Sequence, residues 1–535
     1  MKPAKVHLVG AGPGDAALLT LRGAELLRMA DVVIYDGLVN SELLKHAPAC
    51  AELIYAGKHD RTRCVSQELI TRLLVGRARQ GKRVVRLKGG DPYLFGRGAE
   101  EAEALVAAGI PFEVVPGVSS VQSVPCYAGI PLMHRDFNSA VTLVTGHEDP
   151  RSPESQVRWD QVAQSPGTIV ILMGLKNLRA IATALVAAGR SSATPTAVIS
   201  HGTTCRQQTV TGTLATIADE VKWRQIPPPA LTVIGEVVNL REKLNWFEQR
   251  PLLGRRVVLT QRLDLAAPVA AALQARGAEV WQLPATRWFP HPNLDKALLN
   301  LKRYDWILFS HQLGVQFFFD HLLNKFGDLR SLGNARLGAY GPLTGKAIRQ
   351  WHLTPAAVAA DHKTPLIMDA VLKHGPVHGQ KFLVIRGDEA QEHVPEALEA
   401  LGAQVHVARA FAVAPERRDE PLLARLREEG ADWLVFASGL GIEHLDARLD
   451  LRHFLTRFPA TRLALASSTV EWALEKRGLH ANVVAQPNDA EDLASRIAET
   501  SNANHGIDIG CAGRASREVA NSAGYGKYKP EYTRT

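Results

Sequence analysis

A chain of 535 residues exceeds the roughly 250–300 residues that one hydrophobic core can fill, so we expect several domains. With 46% hydrophobic and 22% charged residues, the composition excludes a fibrous or wholly disordered protein. The formal charge of +8 is scattered along the sequence, and aromatic residues make up only 6%. We therefore do not expect a nucleic-acid partner, and the cationic side chains favour anionic metabolites as ligands.

The five cysteines are widely spaced and form no C-x-x-C pair, which excludes a disulfide scaffold and argues against a cysteine metal site. No run of about 18 apolar residues occurs, and the apolar stretch near Val6–Gly10 is too short for a signal peptide. We therefore predict a cytoplasmic protein without a membrane segment and without a bound metal.

Short apolar strands alternate with alanine- and leucine-rich helical patterns in the first half of the chain. The predicted strands are Val6–Val9, Val32–Tyr35, Val84–Leu87, Val141–Thr145 and Ile169–Met173. This alternation predicts an α/β fold with largely parallel sheets. A further strand at Ala230–Gly235 follows a proline run, and a short helix ends near Trp246–Phe247 before a predicted linker at 248–253.

The same alternation restarts in the second half at Arg256–Thr260. Two later segments resemble each other, Tyr304–Ser310 (YDWILFS) and Ala431–Ser438 (ADWLVFAS), and each precedes a predicted helix and a second strand. This repeat predicts two similar α/β lobes. Residues 501–535 are rich in Ser, Asn, Gly and Tyr and lack apolar periodicity, so we predict a disordered tail.

The first glycine-rich loop lies in Val6–Leu19, which reads as a strand, a turn and a helix. A turn without a ligand and a dinucleotide site are both possible interpretations, and Asp36 at the end of the next strand favours the latter. However, Pro13 has no N–H for a pyrophosphate, and Asp15 occupies the position of the third glycine. These two departures favour a different nucleoside-bearing ligand.

A second glycine-rich loop follows the strand Val84–Leu87. Gly89 and Gly90 permit close approach to the backbone, and Asp91 can accept a hydrogen bond from a hydroxyl or an ammonium. Two later segments, at 114–120 and 128–136, each read alone as a turn. Their occurrence together with both glycine loops favours a binding site.

Taken in order, the segments LVGAGPGD, YDGLV, GKH, RLKGGDP, FGRG, VVPGVSS, AGIPLMHRD and VTGH closely resemble the uroporphyrinogen-III C-methyltransferases, from about Val6 to Phe247. The resemblance implies a tetrapyrrole methylase fold of two α/β lobes with S-adenosylmethionine held between them. It also implies two methyl transfers, to rings A and B of uroporphyrinogen III, giving precorrin-2. A homodimer formed through this half is a further implication.

The resemblance also implies roles for individual residues. Asp36 and Lys58 match the acid/base pair proposed for the family, although a strand-end cap and a surface lysine are the plainer interpretations. Two positions depart from the family pattern, His59 after Gly-Lys and Met133 before the His-Arg-Asp triplet. The implied cofactor-binding residues are Pro13, Gly89, Gly90, Asp91, Leu94, Ser119, Ser120, Met173 and Gly202.

The second half, at 254–500, resembles uroporphyrinogen-III synthase through the segments LTQR, YDWILFS, GPLT, IRG and VFAS. The resemblance implies cyclisation of hydroxymethylbilane and two lobes, one formed by 254–283 with 411–500 and the other by the stretch between. The implied substrate-binding residues are Ser310, Thr344, Arg386, Ser438 and Thr469. A Ser or Thr at the end of a strand is also commonly a helix cap.

Three positions in the second half depart from the synthase pattern: the turn at 310–313, the turn at 465–469, and Phe411 or a neighbouring residue in place of a tyrosine. We predict a bifunctional enzyme with a methyltransferase at 1–247 and a synthase-like domain at 254–500. Alternatives are a methyltransferase with a silent second half, a tetrapyrrole carrier without catalysis, and a nicotinamide or flavin oxidoreductase.

Overall fold

The computed structural model describes residues 4–60, 63–64, 66–292, 294–361, 364–387, 393–417, 419–487 and 489–502. Of the predicted disordered tail at 501–535, Ser501 and Asn502 are helical, and the rest lies outside the described residues. One compact unit is formed mainly by the chain up to Arg256, and the second mainly by the chain from Val257 to Ile497. Within the described part of the chain, no helix has the length and apolar character needed to cross a membrane.

The first lobe contains a five-stranded sheet in the order β3-β2-β6-β1-β7, in which every paired strand is parallel. All five residues of β1 and of β6 are buried, as expected for central strands of a parallel sheet. The elements are β1 (Val6–Gly10), α1 (Leu21–Arg28), β2 (Val32–Tyr35), β3 (Glu52–Tyr55), β4 (Lys58–Asp60), β5 (Arg63–Cys64), α2 (Gln67–Arg79), β6 (Val84–Lys88), α3 (Gly98–Ala107), β7 (Phe112–Val115) and α4 (Ser120–Tyr127).

The second lobe contains a five-stranded sheet in the order β11-β10-β12-β9-β8. The expectation of largely parallel sheets is wrong for this lobe. Only β8 and β9 pair in parallel, because β12 inserts antiparallel between β9 and β10, and β11 folds back on β10. The elements are β8 (Val141–Thr145), α5 (Trp159–Gln164), β9 (Thr168–Leu172), α6 (Leu178–Ala187), β10 (Pro195–Ser200), β11 (Gln208–Thr213), α7 (Ile217–Trp223), β12 (Ala230–Ile234) and α8 (Arg241–Leu244).

The second unit contains two more sheets. The third sheet has the order β14-β13-β21-β22-β23, and the fourth has the order β15-β20-β19-β16-β17-β18. The elements up to Pro415 are β13 (Arg256–Leu259), α9 (Leu263–Ala275), β14 (Glu279–Gln282), β15 (Thr286–Pro290), α10 (Leu294–Leu298), β16 (Trp306–Phe309), α11 (Gln312–Phe326), β17 (Arg336–Ala339), α12 (Pro342–Arg349), β18 (Ala357–Val358), α13 (Thr364–Leu372), β19 (Lys381–Gly387), α14 (Val394–Ala400) and β20 (Gln404–Pro415). The elements after Pro415 are α15 (Glu420–Glu429), β21 (Trp433–Phe436), α16 (Gly439–Leu449), α17 (Leu451–Arg457), β22 (Arg462–Leu465), α18 (Glu471–Glu475), β23 (Val483–Val484) and α19 (Ala490–Asn502).

The strand assignment confirms the predicted exchange of the chain between two lobes in this unit. The third sheet combines strands from both ends of the second half, and the fourth takes the strands between them. The return to the third sheet comes after Pro415 rather than at Phe411, because β20 continues past Phe411 to pair antiparallel with β15.

The internal repeat is also confirmed in detail. Trp306 in β16 pairs with Arg336, and Trp433 in β21 pairs with Arg462. In both cases the arginine guanidinium lies 5.6 Å from the centre of the tryptophan ring. The two segments that look alike in sequence therefore occupy equivalent positions in two sheets.

Candidate active site

The carboxyl ends of the parallel strands in the first sheet lie at one edge, and the predicted residues of the first lobe follow those ends. Pro13 follows β1, Asp36 follows β2, and the segment 89–91 follows β6. Ser119 and Ser120 follow β7. Ligands of α/β proteins bind at this edge of the sheet, so the topology brings these predicted residues together.

Three glycines, Gly10, Gly90 and Gly117, allow the loops at this edge to contact one another closely. A Cβ atom at Gly117 would lie 2.2 Å from the Gly90 carbonyl oxygen, and one at Gly10 would lie 2.4 Å from the Gly117 Cα atom. Real Cβ atoms do not approach so closely, so only glycine allows the loops after β1, β6 and β7 to touch.

Gly90 also joins the two glycine-rich loops directly. Its N–H donates to the Gly12 carbonyl at 2.7 Å, and the Gly12 N–H donates back at 3.2 Å. Gly90 has a φ of +66°, and a Cβ atom there would have the Ser120 nitrogen as its nearest neighbour at 3.9 Å. Gly90 therefore has no close neighbour on the side of its Cα that faces the first turn of α4, and the absence of a side chain there permits close approach of a ligand.

The Asp91 carboxylate accepts hydrogen bonds from backbone N–H groups of the first lobe. Its Oδ1 atom accepts hydrogen bonds from the backbone N–H groups of Tyr93 at 2.8 Å and Leu94 at 3.1 Å, and its Oδ2 atom accepts from Gly117 at 3.0 Å. The carboxylate therefore holds the second glycine-rich loop in shape and ties it to the loop after β7.

The residues after Asp91 complete the first-lobe part of the site. Leu94 packs against the apolar cluster that contains Val124 of α4 and Val170 of β9. Ser119 caps α4 by accepting a hydrogen bond from the Val121 N–H at 3.2 Å. Leu94 and Ser119 are thus held in place by packing and capping.

Met173 and Gly202 follow β9 and β10, which run in the same direction in the second sheet, so both lie at one edge. The loop after Gly202 contacts the first glycine-rich loop: the Thr203 hydroxyl accepts from the Asp15 N–H at 3.2 Å. A Cβ atom at Gly14 would lie 2.7 Å from the Thr204 side chain. The second lobe therefore reaches the glycine-rich loop of the first.

Backbone strain is concentrated in these loops. Five of the eight non-glycine residues with positive φ among the described residues belong to them, namely Phe95, Arg97, Met173, His201 and Thr203. Such conformations cost about 1–3 kcal/mol each and cluster at functional sites. The strain supports the assignment of these loops to a site.

Sequence reasoning missed several residues that shape the site. The Tyr127 hydroxyl donates to Asp15 Oδ2 at 2.9 Å, and burial with this hydrogen bond raises the pKa of Tyr127. The Asn40 side chain donates to the Gly14 carbonyl at 2.8 Å. We find no sequence signal for these contacts, because they join segments far apart in the chain.

Asp36 is hydrogen-bonded to a buried cluster of charged side chains. Arg86 Nη2 donates to Asp36 Oδ1 at 2.5 Å, and Arg86 Nε donates to Glu101 at 3.1 Å. Lys88 Nζ donates to the same Glu101 oxygen at 2.8 Å. Burial lowers the pKa of Lys88, and the positive charge of Arg86 adds to that effect.

A sequence signal for this cluster exists. Arg86 and Lys88 lie two residues apart in an otherwise apolar strand, so they share one face of it. Glu101 lies on the buried face of α3 with Gly98, Ala102 and Leu105. Buried charges of opposite sign on adjacent elements are expected to pair.

Two further features were predicted from the sequence. The Lys58 side chain lies outside the described residues, although its backbone forms part of β4. The loop with His134 and Arg135 is anchored by Asn138, whose side chain donates to Thr168 at the start of β9. That is the edge of the second sheet opposite Met173.

The predicted residues of the second unit also follow carboxyl ends of strands. Ser310 follows β16, Thr344 lies in α12 after β17, and Arg386 lies near the end of β19 in the fourth sheet. The Thr344 hydroxyl is buried, and among the described residues it has no hydrogen-bond partner; the same holds for Arg386 Nε.

The two predicted residues of the third sheet occupy local turns. Ser438 caps α16 by accepting from the Gly441 N–H at 3.0 Å, as the plainer interpretation expected. Thr469 is exposed, and its hydroxyl lies 2.9 Å from that of Ser467. The structure therefore places all five residues at carboxyl edges of two sheets, Ser310, Thr344 and Arg386 at one and Ser438 and Thr469 at the other.

Two family models match the chain. The model described as tetrapyrrole (corrin/porphyrin) methylases matches residues 5–218. The model described as uroporphyrinogen-III synthase HemD matches residues 267–495. The two matches fall on the two halves that the sequence motifs separated.

Curated relatives agree with this division. A porphyrin biosynthesis protein HemD of Ruminiclostridium josui is 40% identical over 64% of this chain and 69% of its own. A uroporphyrinogen-III C-methyltransferase of Bacillus subtilis is 37% identical over 71% of this chain and 78% of its own. An S-adenosyl-L-methionine-dependent uroporphyrinogen III methyltransferase of Methanosarcina barkeri is 51% identical over 46% of this chain and 96% of its own.

The fold and the glycine-lined edge define an α/β enzyme of the tetrapyrrole methylase class. The chain belongs to the uroporphyrinogen-III C-methyltransferases and carries a HemD-like domain after the methyltransferase. The resemblance inferred from the motifs and the predicted α/β fold are thus confirmed.

Proposed function

We propose that the first half methylates uroporphyrinogen III twice, giving precorrin-2, with S-adenosylmethionine as methyl donor. The observation that carries this proposal is the contact of three glycine-bearing loops, those after β1, β6 and β7, at Gly90, whose Cα faces the first turn of α4 without a close neighbour. The Methanosarcina barkeri relative is named for the same donor, which supports this proposal.

The residues present fit this donor. S-adenosylmethionine supplies an electrophilic methyl group when bound. Backbone at Pro13, Gly89 and Gly90, with Ser119 and Ser120, would hold its nucleoside and amino-acid parts, and Asp91 keeps their loop in shape. Leu94, Met173 and Gly202 would complete the pocket.

Asp36 and Lys58 are the proposed acid/base pair. Asp36 Oδ1 is occupied by Arg86, and among the described residues Oδ2 has no hydrogen-bond partner. Asp36 can therefore accept the proton that the macrocycle releases after each methylation. Positioning of the macrocycle contributes a larger share of the rate.

We further propose that the second half converts hydroxymethylbilane into uroporphyrinogen III, the substrate of the first half. The match of its residues 267–495 to the synthase family supports this activity. Thr344 and Arg386 have buried polar atoms that no described residue satisfies, as a site for substrate carboxylates requires. We also propose a cytoplasmic homodimer formed through the methyltransferase half, which light scattering on the full chain and on residues 1–247 would test.

The test is an anaerobic incubation of the full-length protein with hydroxymethylbilane and S-adenosylmethionine. We expect a dimethylated product of the type III isomer, identified by mass and by isomer-resolving chromatography. A control incubation without S-adenosylmethionine should stop at uroporphyrinogen III.

Two other outcomes would contradict parts of the proposal. If only the type I macrocycle forms and added uroporphyrinogen III is methylated, the second half has no synthase activity. If neither substrate is methylated while the protein binds uroporphyrinogen III, the chain is a carrier.

A further inference from the structure

The carboxylate of Glu101 is the centre of the buried charged cluster that it forms with Arg86 and Lys88 next to Asp36. It is fully buried, and Arg86 and Lys88 beside it are 2% and 3% exposed. Glu101 Oε1 accepts hydrogen bonds from Arg86, from Lys88 and from Gln67 Nε2 at 3.1 Å. Two buried cations thus meet one buried anion, which keeps each of them from being an unpaired charge.

Arg86 links the buried Glu101 carboxylate to the partly exposed carboxylate of Asp36. Its Nε atom donates to Glu101, while its Nη2 atom donates to Asp36, which is 29% exposed. A planar guanidinium can hold two carboxylates in a fixed relation. The position of the Asp36 carboxylate is therefore tied to Glu101 through one side chain.

Glu101 also connects Asp36 with the second glycine-rich loop. Lys88 is the last residue of β6 before that loop, and Glu101 lies in the first turn of α3, which begins after it. The pair Lys88–Glu101 therefore joins the two ends of the loop that includes Gly90 and Asp91.

We propose that Glu101 is a positioning residue for methylation, which acts through Arg86 to hold the Asp36 carboxylate in the orientation that accepts the proton from the macrocycle. This inference rests on the proposed function. The transferred proton leaves a carbon of the methylated macrocycle and binds Asp36 Oδ2, and the electron pair of the broken C–H bond stays in the macrocycle. Glu101 itself exchanges no proton.

The decisive experiment compares Glu101→Gln with Glu103→Gln in the full-length protein. Glu103 lies two residues further along α3, and its side chain is exposed. We expect Glu101→Gln to lower kcat for methylation about 10- to 100-fold, the scale of a misplaced reacting group. The KM for uroporphyrinogen III and the affinity for S-adenosylhomocysteine should stay near wild-type values, and Glu103→Gln should behave as wild type.

A double-mutant cycle with Asp36→Asn separates positioning from a general structural role. If Glu101 acts through Asp36, Glu101→Gln causes no further loss of kcat in the Asp36→Asn background. Equal losses in both backgrounds, or a parallel loss of S-adenosylhomocysteine affinity, would overturn the inference. Wild-type protein that fails to methylate would instead refute the proposed function.

A milder variant covers the case in which Glu101→Gln does not fold. Gln67→Met removes one donor to Glu101 and leaves both cations paired. We expect a smaller fall in kcat with unchanged S-adenosylhomocysteine affinity, and wild-type kcat in a folded Gln67→Met protein would count against the inference.

Discussion

The carboxyl edges of the first sheet and of the sheets in the second unit are built differently. In the first sheet, the loops hold one another: Gly12 bonds to Gly90, Gly10 touches Gly117, and Asp91 bonds to Gly117. In the second unit, Ser438 and Thr469 bond within their own turns. The edge of the first sheet is therefore held by contacts between loops. The edge of the third sheet has local caps instead, and the edge of the fourth sheet carries the unsatisfied polar atoms of Thr344 and Arg386.

The largest expected effect comes from breaking the contact between loops in the first sheet. Gly117→Ala would place a methyl group 2.2 Å from the Gly90 carbonyl oxygen. We expect it to destabilise the protein by about 1–3 kcal/mol, and to abolish S-adenosylhomocysteine binding measured by calorimetry.

Gly76→Ala is the matched control for this variant. Gly76 lies in α2, and a Cβ atom there would meet no atom within 4 Å. This change should stabilise the helix by about 0.5–1 kcal/mol. Normal binding by Gly117→Ala would show that the loops can separate without loss of the site.

Thr344→Val tests whether the carboxyl edge of the fourth sheet has polar groups that bind a ligand. The variant removes a buried hydroxyl that no described residue satisfies. We expect unfolding free energy to rise by about 1 kcal/mol and synthase kcat/KM to fall about tenfold, since a hydrogen bond to a charged substrate is lost.

Thr461→Val is the control, because the Thr461 hydroxyl donates to the Ala431 carbonyl at 2.5 Å and lies before β22 rather than after it. This variant should lose stability while its synthase activity persists. Full synthase activity in Thr344→Val would make Thr344 a packing residue.

Substitutions at Ser438 test the importance of local helix caps at the carboxyl edge of the third sheet. Ser438→Ala removes the bond to the Gly441 N–H and should cost about 1 kcal/mol in unfolding free energy. Ser438→Asn keeps a capping oxygen, so stability and synthase activity should both return. Activity that stays low in a stable Ser438→Asn protein would instead indicate contact with substrate.

The smallest effect is expected at the opposite edge of the first sheet, where Glu113 pairs with Lys5 at 2.8 Å and Arg22 at 3.2 Å. These cations lower the pKa of Glu113 to about 2. A carboxylate with a depressed pKa stabilises the folded state above its unfolded pKa of 4.5, and this contribution is lost as the pH falls from there towards 2.

In Glu113→Gln, the loss of unfolding free energy between pH 6 and pH 3 should therefore be smaller than in the wild type by about 1 kcal/mol, the scale of an exposed ion pair. Unfolding curves recorded at pH 6 and pH 3 would show this change. Methylation at neutral pH should be unaffected, and parallel pH profiles for both proteins would contradict the assignment.

Much of the fold could be predicted from local patterns. The strands Val32–Tyr35 and Val141–Thr145 have the predicted bounds, and the two tryptophan segments lie in equivalent strands, because apolar β-branched runs between turn residues determine buried strands locally. Strand direction in the second sheet could not be predicted, since an antiparallel β12 and a parallel β12 need the same apolar residues.

The sequence by itself determined the family, the order of the two halves and the positions of the glycine-rich loops, because glycine and strand patterns are local properties of the chain. Only the tertiary structure decided that Asp91 bonds to Gly117 after β7, and that one arginine, Arg86, holds both Glu101 and Asp36. Such contacts join residues from separate elements, and their distances depend on how the elements pack rather than on the sequence around either partner.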